Sequence, residues 1–151
     1  MKEKRIRTGV KALIVHEGKI LIIKENVMRD GETVLIHDFP GGGIDFGENL
    51  EIALQREVFE EVGLKIIVEK VVGAWEFVIN PIHDPESEMQ IVCIGYQCKV
   101  AGDSKIDMTN NPAQYEDIFD YAWLTREEIL EQGDKILVNS DMRKAVSNLN
   151  I

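Results

Sequence analysis

A glycine-rich loop feeding an acidic helix constrains this chain more than any other feature. The loop PGGGIDFGEN, Pro40–Asn49, follows the β-prone stretch Thr33–His37 and leads into LEIALQREVFEEV, Leu50–Val62. In the second segment Leu50, Leu54, Val58 and Val62 recur every four residues, which makes one apolar stripe if the segment is helical. Asn49 suits the first cap of that helix and Gly63 its stop. A strand, a glycine loop and a helix are therefore predicted in succession. Helix formation alone does not explain why Glu57, Glu60 and Glu61 crowd onto the arc beside the stripe. At spacings of three and four, each like-charge pair costs about 0.2–0.5 kcal/mol.

The rest of the chain supplies the sheet. Ile6–Val15 and Lys19–Lys24 flank His16-Glu17-Gly18 and read as a hairpin. Val27–Asp38 turns around Asp30-Gly31 into the strand Thr33–His37. Phe39–Gly47 reads as loop, and Lys65–Asn80 as one long or broken strand. Pro81–Glu88 is a polar loop, Met89–Val100 a further strand, and Ala101–Pro112 a second loop. Ile118–Leu124 is the last strand. Thr125 and Glu128 form a capping box for a helix ending at Gly133, and Ser140 is expected to cap a final helix to about Asn148. No repeat or linker divides residues 1–151, so one α/β domain is expected, with helices over a mixed sheet.

Charge narrows the function classes. Seventeen basic and twenty-seven acidic residues give a net charge of −10. Sequence-independent binding to nucleic acid, or to an anionic membrane, needs a basic surface and is not expected. No apolar run is long enough to span a bilayer, and the charged start Met1–Thr8 does not read as a secretory leader. Cys93 and Cys98 lie on one predicted strand, five positions apart and so on opposite faces, which excludes a local bridge. A reduced, cytoplasmic protein is the simplest expectation.

The 23 residues Gly42–Leu64 hold six acids and one base, half of the chain's net charge. A glycine loop between strand and helix commonly cradles phosphate, yet two phosphate-loop readings fail by letter. Gly42 and Gly47 have the spacing of G-x-x-x-x-G-K-[ST], but Glu48 and Asn49 replace the lysine and the hydroxyl. In G-x-G-x-x-G, Phe46 stands where the third glycine belongs. A bound cation resolves the conflict between an acidic helix and an anionic substrate. Hard divalent ions take oxygen ligands and bridge carboxylates to substrate phosphates, and their charge offsets the repulsion among the glutamates.

Gly42, Glu48, Arg56, Glu57, Val58, Glu60, Glu61, Gly63 and Leu64 fit G-x5-E-x7-R-E-U-x-E-E-x-G-U, with U apolar. This segment resembles the complete box of the Nudix hydrolases. The resemblance implies an α/β/α sandwich with a mixed sheet. It implies hydrolysis of a nucleoside diphosphate linked to another moiety, in a nucleoside triphosphate, nucleotide sugar or ADP-ribose type of substrate, with Mg²⁺ or Mn²⁺. By the same resemblance Glu57, Glu60 and Glu61 are metal ligands, joined by the carbonyl of Gly42. Glu57 or Glu60 takes the proton of the attacking water, Arg56 orients a glutamate, and Glu48 holds the loop to the helix or assists the metal. An additional acid from a late loop is common in the family, and Glu116 and Asp117 are the candidates.

His16, His37 and His83 show no metal-ligand spacing. Trp75, Phe77 and Tyr96 read as core rather than as stacking platforms for a base. Pro81 follows the box with 16 residues intervening, a placement similar to that in ADP-ribose hydrolases. The competing reading is a sensor module that binds nucleotide and metal without cleaving. A homodimer paired through N-terminal strands is among the assemblies the sequence allows.

Overall fold

The computed structural model describes residues 3–81, 84–109 and 117–151, with the backbone alone at Asp117. Two hairpins open the fold. Strand β1, Lys4–His16, turns through Glu17-Gly18 into β2, Lys19–Arg29, which turns through Asp30-Gly31 into β3, Glu32–Asp38. Both turns place two successive residues at positive φ, Glu17 at 50° and Gly18 at 75°, then Asp30 at 51° and Gly31 at 78°. That backbone matches the right-handed twist of the strands it joins. Each strand outruns its expected length because ladder pairing, rather than local propensity, sets where it ends. The pairing of β2 with β3 runs from Ile23↔Asp38 out to Arg29↔Glu32.

The remaining elements are β4 (Gly41–Gly43), α1 (Leu50–Val62), β5 (Ile66–Ile79), β6 (Glu88–Val100), β7 (Asp117–Thr125), α2 (Arg126–Gln132) and α3 (Ser140–Ser147). The main sheet path runs β3-β2-β1-β6-β5, with β4 added against β1 and β7 against β2. β1 and β6 are parallel while the other pairs are antiparallel, so the sheet is mixed.

Both sheet faces are covered. Along β2 the four residues Ile20–Ile23 are all buried, and they alternate between two cores as a strand's pleat requires. Leu21 and Ile23 join Val10, Ala12 and Ile14 beneath the α1 residues Ala53, Leu54, Val58 and Val62. Ile20 and Ile22 join Leu13 and Trp75 under Ile129, Met142, Ala145 and Val146 from α2 and α3. Cys93 falls in the second core and Cys98 in the first. Burial pushes both thiols up to about 12, so each is neutral packing material. Trp75 and Tyr96 are buried and Phe77 packs against the Trp75 core.

Two sequence expectations are corrected. The glycine loop is not loop throughout, because Gly41–Gly43 forms a ladder with β1 in the register Gly9↔Gly43, Val10↔Gly42 and Lys11↔Gly41. The cap of α3 is Asn139 rather than Ser140, since the Asn139 side chain accepts from the Asp141 N–H. Lys65–Asn80 resolves into one strand, β5, with irregularities at Val68/Lys70 and Val71/Gly73. Among the described residues, no helix is long and apolar enough to cross a membrane.

Candidate active site

Helix α1 is held at both ends by its own sequence. The Asn49 side chain accepts from the Glu51 N–H at 2.9 Å and the Ile52 N–H at 3.3 Å, which satisfies two donors of the first turn. Gly63, at φ 72°, turns the chain out while its N–H closes onto the Phe59 carbonyl. Burial of Leu54, Val58 and Val62 fixes the rotation of the helix. Glu57 and Glu60 are thereby presented beside the start of the glycine segment.

Arg56 organises the acids. Its Nε and Nη2 donate to the two oxygens of Glu48 at 2.7 and 2.8 Å, a two-pronged guanidinium–carboxylate pairing. Its Nη1 donates to Glu57 Oε1 at 3.0 Å and to Glu60 Oε2 at 3.4 Å, and Asp45 lies 3.6 Å from Nη2. The Arg56 hydrogen bond holds the Glu48 carboxyl down at about 2, helped by the Asp45 N–H. The same pairing raises the Arg56 guanidinium above its ordinary value. Glu48 thus clamps the loop to the helix, and the i,i+4 pairing of Arg56 with Glu60 is as the spacing predicts.

Glu61 behaves differently from its neighbours. It is only 1% exposed, and its Oε1 accepts from the Gly41 N–H at 2.7 Å. The arc of three glutamates is therefore split, with Glu57 and Glu60 at the water's edge and Glu61 seated between helix and β4. The glycines explain the close approach. A methyl group on Gly42 would lie 2.5 Å from Glu57 Oε2, and one on Gly41, at φ 143°, would run into the Val10 carbonyl.

The structure brings Gly42, Glu48, Arg56, Glu57, Glu60 and Glu61 together. Among the described residues, no three His, Cys, Asp or Glu side chains are gathered into a metal-enclosing cluster as they stand. Glu57 and Glu60 are instead engaged by Arg56. The donor set nevertheless fits a hard divalent ion: every candidate ligand is oxygen, and Gly42 lacks the side chain that would separate the loop backbone from the Glu57 carboxylate. Glu116 and His83 lie outside the described residues, and Asp117 opens β7 opposite Asn26. His16 packs against Trp123 with ring centroids 5.9 Å apart.

Sequence reasoning missed one feature, a dry ion pair behind the glycine strand. Lys11 Nζ donates to Asp38 Oδ2 at 3.0 Å, with side chains 7% and 3% exposed, and approaches the Gly41 carbonyl at 3.5 Å. Its signal was present in VKALIV, where a lysine interrupts a strand otherwise apolar on both faces.

The NUDIX domain model matches residues 5–148. This chain belongs to the Nudix family. Membership makes it a hydrolase of the class that acts on phosphoric anhydride bonds. The nucleoside triphosphatase NudI of Escherichia fergusonii is 28% identical over 150 residues, spanning 95% of this Nudix chain and 96% of that protein. A MutT protein from Methanosarcina mazei Go1 superposes with a TM-score of 0.68 at 21% identity, over 97% of this chain and 94% of that one. A MutT NUDIX hydrolase from Burkholderia pseudomallei gives 0.68 at 21% identity, over 96% and 98%. These structures share the fold.

Proposed function

We propose that residues 1–151 act as one divalent-cation-dependent pyrophosphohydrolase, cleaving a nucleoside diphosphate linked to a further group, with nucleoside triphosphates preferred. The observation that carries this reading is the Arg56 fork, which draws Glu48, Glu57 and Glu60 together beside Gly42 on a helix anchored by its apolar stripe. The preference for triphosphates is supported by the name of the NudI relatives.

Glu57, Glu60 and Glu61, with the Gly42 carbonyl, would hold Mg²⁺ or Mn²⁺. When bound, such an ion supplies charge to the substrate phosphates and acidifies a coordinated water. The remaining work falls to the chain itself. Glu57 or Glu60 accepts the proton of the attacking water, both being partly exposed and within reach of solvent. Arg56 orients them through Nη1, and Glu48 keeps Arg56 in place. Glu61 fastens the helix to Gly41 so that the loop and the acids keep one geometry.

The test is a panel of nucleoside triphosphates, nucleotide sugars and ADP-ribose with Mg²⁺ or Mn²⁺. Release of a nucleoside monophosphate, fastest from triphosphates and abolished by chelation, is expected. Tight metal-dependent nucleotide binding without turnover would favour the sensor reading instead. Hydrolysis confined to ADP-ribose or a nucleotide sugar would correct the substrate class.

A further inference from the structure

Gly43 is a glycine that neither the family motif nor its backbone requires. The motif constrains Gly42 and leaves the next position open. Gly43 is not among the positive-φ residues, and it pairs with Gly9 as an ordinary strand residue. What its missing side chain admits is Arg7. A methyl group on Gly43 would lie 2.5 Å from Arg7 Nη2 and 3.1 Å from its Cζ. The guanidinium therefore rests directly on the backbone of β4, one residue from Gly42.

Arg7 is exposed, and among the described residues no carboxylate lies within ion-pair distance of it. That is unexpected 35 residues before a segment holding six acids. Four of those acids, Asp45, Glu48, Glu57 and Glu60, are drawn to Arg56 instead. In the strand's alternation, Gly42 turns its Cα hydrogen side to Glu57 and Gly43 turns its own to Arg7. The three-residue strand thus carries carboxylates on one face and an accessible guanidinium on the other. Arginine is suited to such a place because its planar fork matches phosphate oxygens and keeps its charge at every working pH.

We propose that Arg7 is a substrate-binding residue that pairs with a phosphate of the substrate's polyphosphate chain, and that Gly43 is small in order to seat it. This rests on the hydrolase reading for the identity of the ligand, and it adds a positive contact to a site otherwise dominated by acids.

The experiment uses the full chain and two readouts. Calorimetric titration with inorganic tripolyphosphate and Mg²⁺ measures binding without turnover, and steady-state kinetics with a nucleoside triphosphate separates KM from kcat. Arg7→Gln is expected to weaken tripolyphosphate binding and raise KM roughly 10-fold or more, as for loss of a charged hydrogen bond, with kcat within about 2-fold. Arg7→Lys should recover part of the loss. Gly43→Ala, which displaces the guanidinium while keeping its charge, should reproduce a smaller version with the melting temperature unchanged. Equal tripolyphosphate affinity in wild type and Arg7→Gln would overturn the proposal, as would no binding by wild type or a fall in kcat at constant KM. Binding that depends on Arg7 in a protein that hydrolyses nothing would uphold this contact while removing the hydrolase reading.

Discussion

The two faces of β4 hold ion pairs of opposite kinds. On the α1 side Arg56 meets Glu57 and Glu60, whose side chains are 18% and 34% exposed. On the other side Lys11 meets Asp38 almost without contact with water. Exposed pairs contribute little to stability and exchange partners readily. A pair sealed from solvent is hard to break, because removing one member leaves a buried charge uncompensated. The same three glycines therefore divide a rigid support from an adaptable acidic site. An arginine that can release two glutamates belongs where a cation must compete for them, and a lysine that cannot release its aspartate belongs in the support.

The largest effect should come from the adaptable face. Glu60→Gln is expected to lower turnover by about 10²–10⁴-fold if Glu60 takes the proton, with the metal-free melting temperature unchanged or slightly higher as repulsion is relieved. Steady-state kinetics beside a thermal melt checks both halves. If Glu57→Gln shows the larger loss instead, the base is Glu57 and the contrast between faces stands.

The dry face should respond in stability. Asp38→Ala removes the buried carboxylate that Lys11 pairs with and is expected to cost about 3–5 kcal/mol, read from urea unfolding. A loss under about 1 kcal/mol would mean that the pair is not a support. Gly42→Ala should separate the two properties. The new methyl meets the far end of Glu57 rather than backbone, so stability should hold while activity falls on the order of 10²-fold through displacement of the carboxylate.

The smallest effect concerns pH. Glu48 is held at about 2 against an ordinary 4.5, so its depressed value contributes stability that is complete above about 4.5 and is lost as pH falls toward 2. Glu48→Gln should remove that contribution, and its unfolding free energy should vary less than the wild type's across that window. An unaltered pH dependence would show that the Arg56 clamp does not hold the loop.

Much of this was readable before the structure. The spacing of Leu54, Val58 and Val62 placed α1, Thr125 with Glu128 placed α2, and the box letters placed Arg56 among its acids. Those features are local, fixed by residues no more than eight apart. What escaped was long-range. Lys11 meets Asp38 across 27 residues, Arg7 meets Gly43 across 36, and the ladder that turns Gly41–Gly43 into a strand is made by β1. Asn139 displaced Ser140 as a cap by one position, a choice between two good capping residues that only the path of the chain decides. The split of Glu61 from Glu57 and Glu60 likewise depends on β4 offering it the Gly41 N–H.

The most direct test of the central claim is a Mn²⁺ titration followed by electron paramagnetic resonance, comparing wild type with Glu57→Gln/Glu61→Gln. The account predicts saturable binding in the wild type that strengthens with a non-hydrolysable nucleotide, and at least a 10-fold weaker affinity in the folded double variant. Equal Mn²⁺ affinity in the two proteins would contradict it.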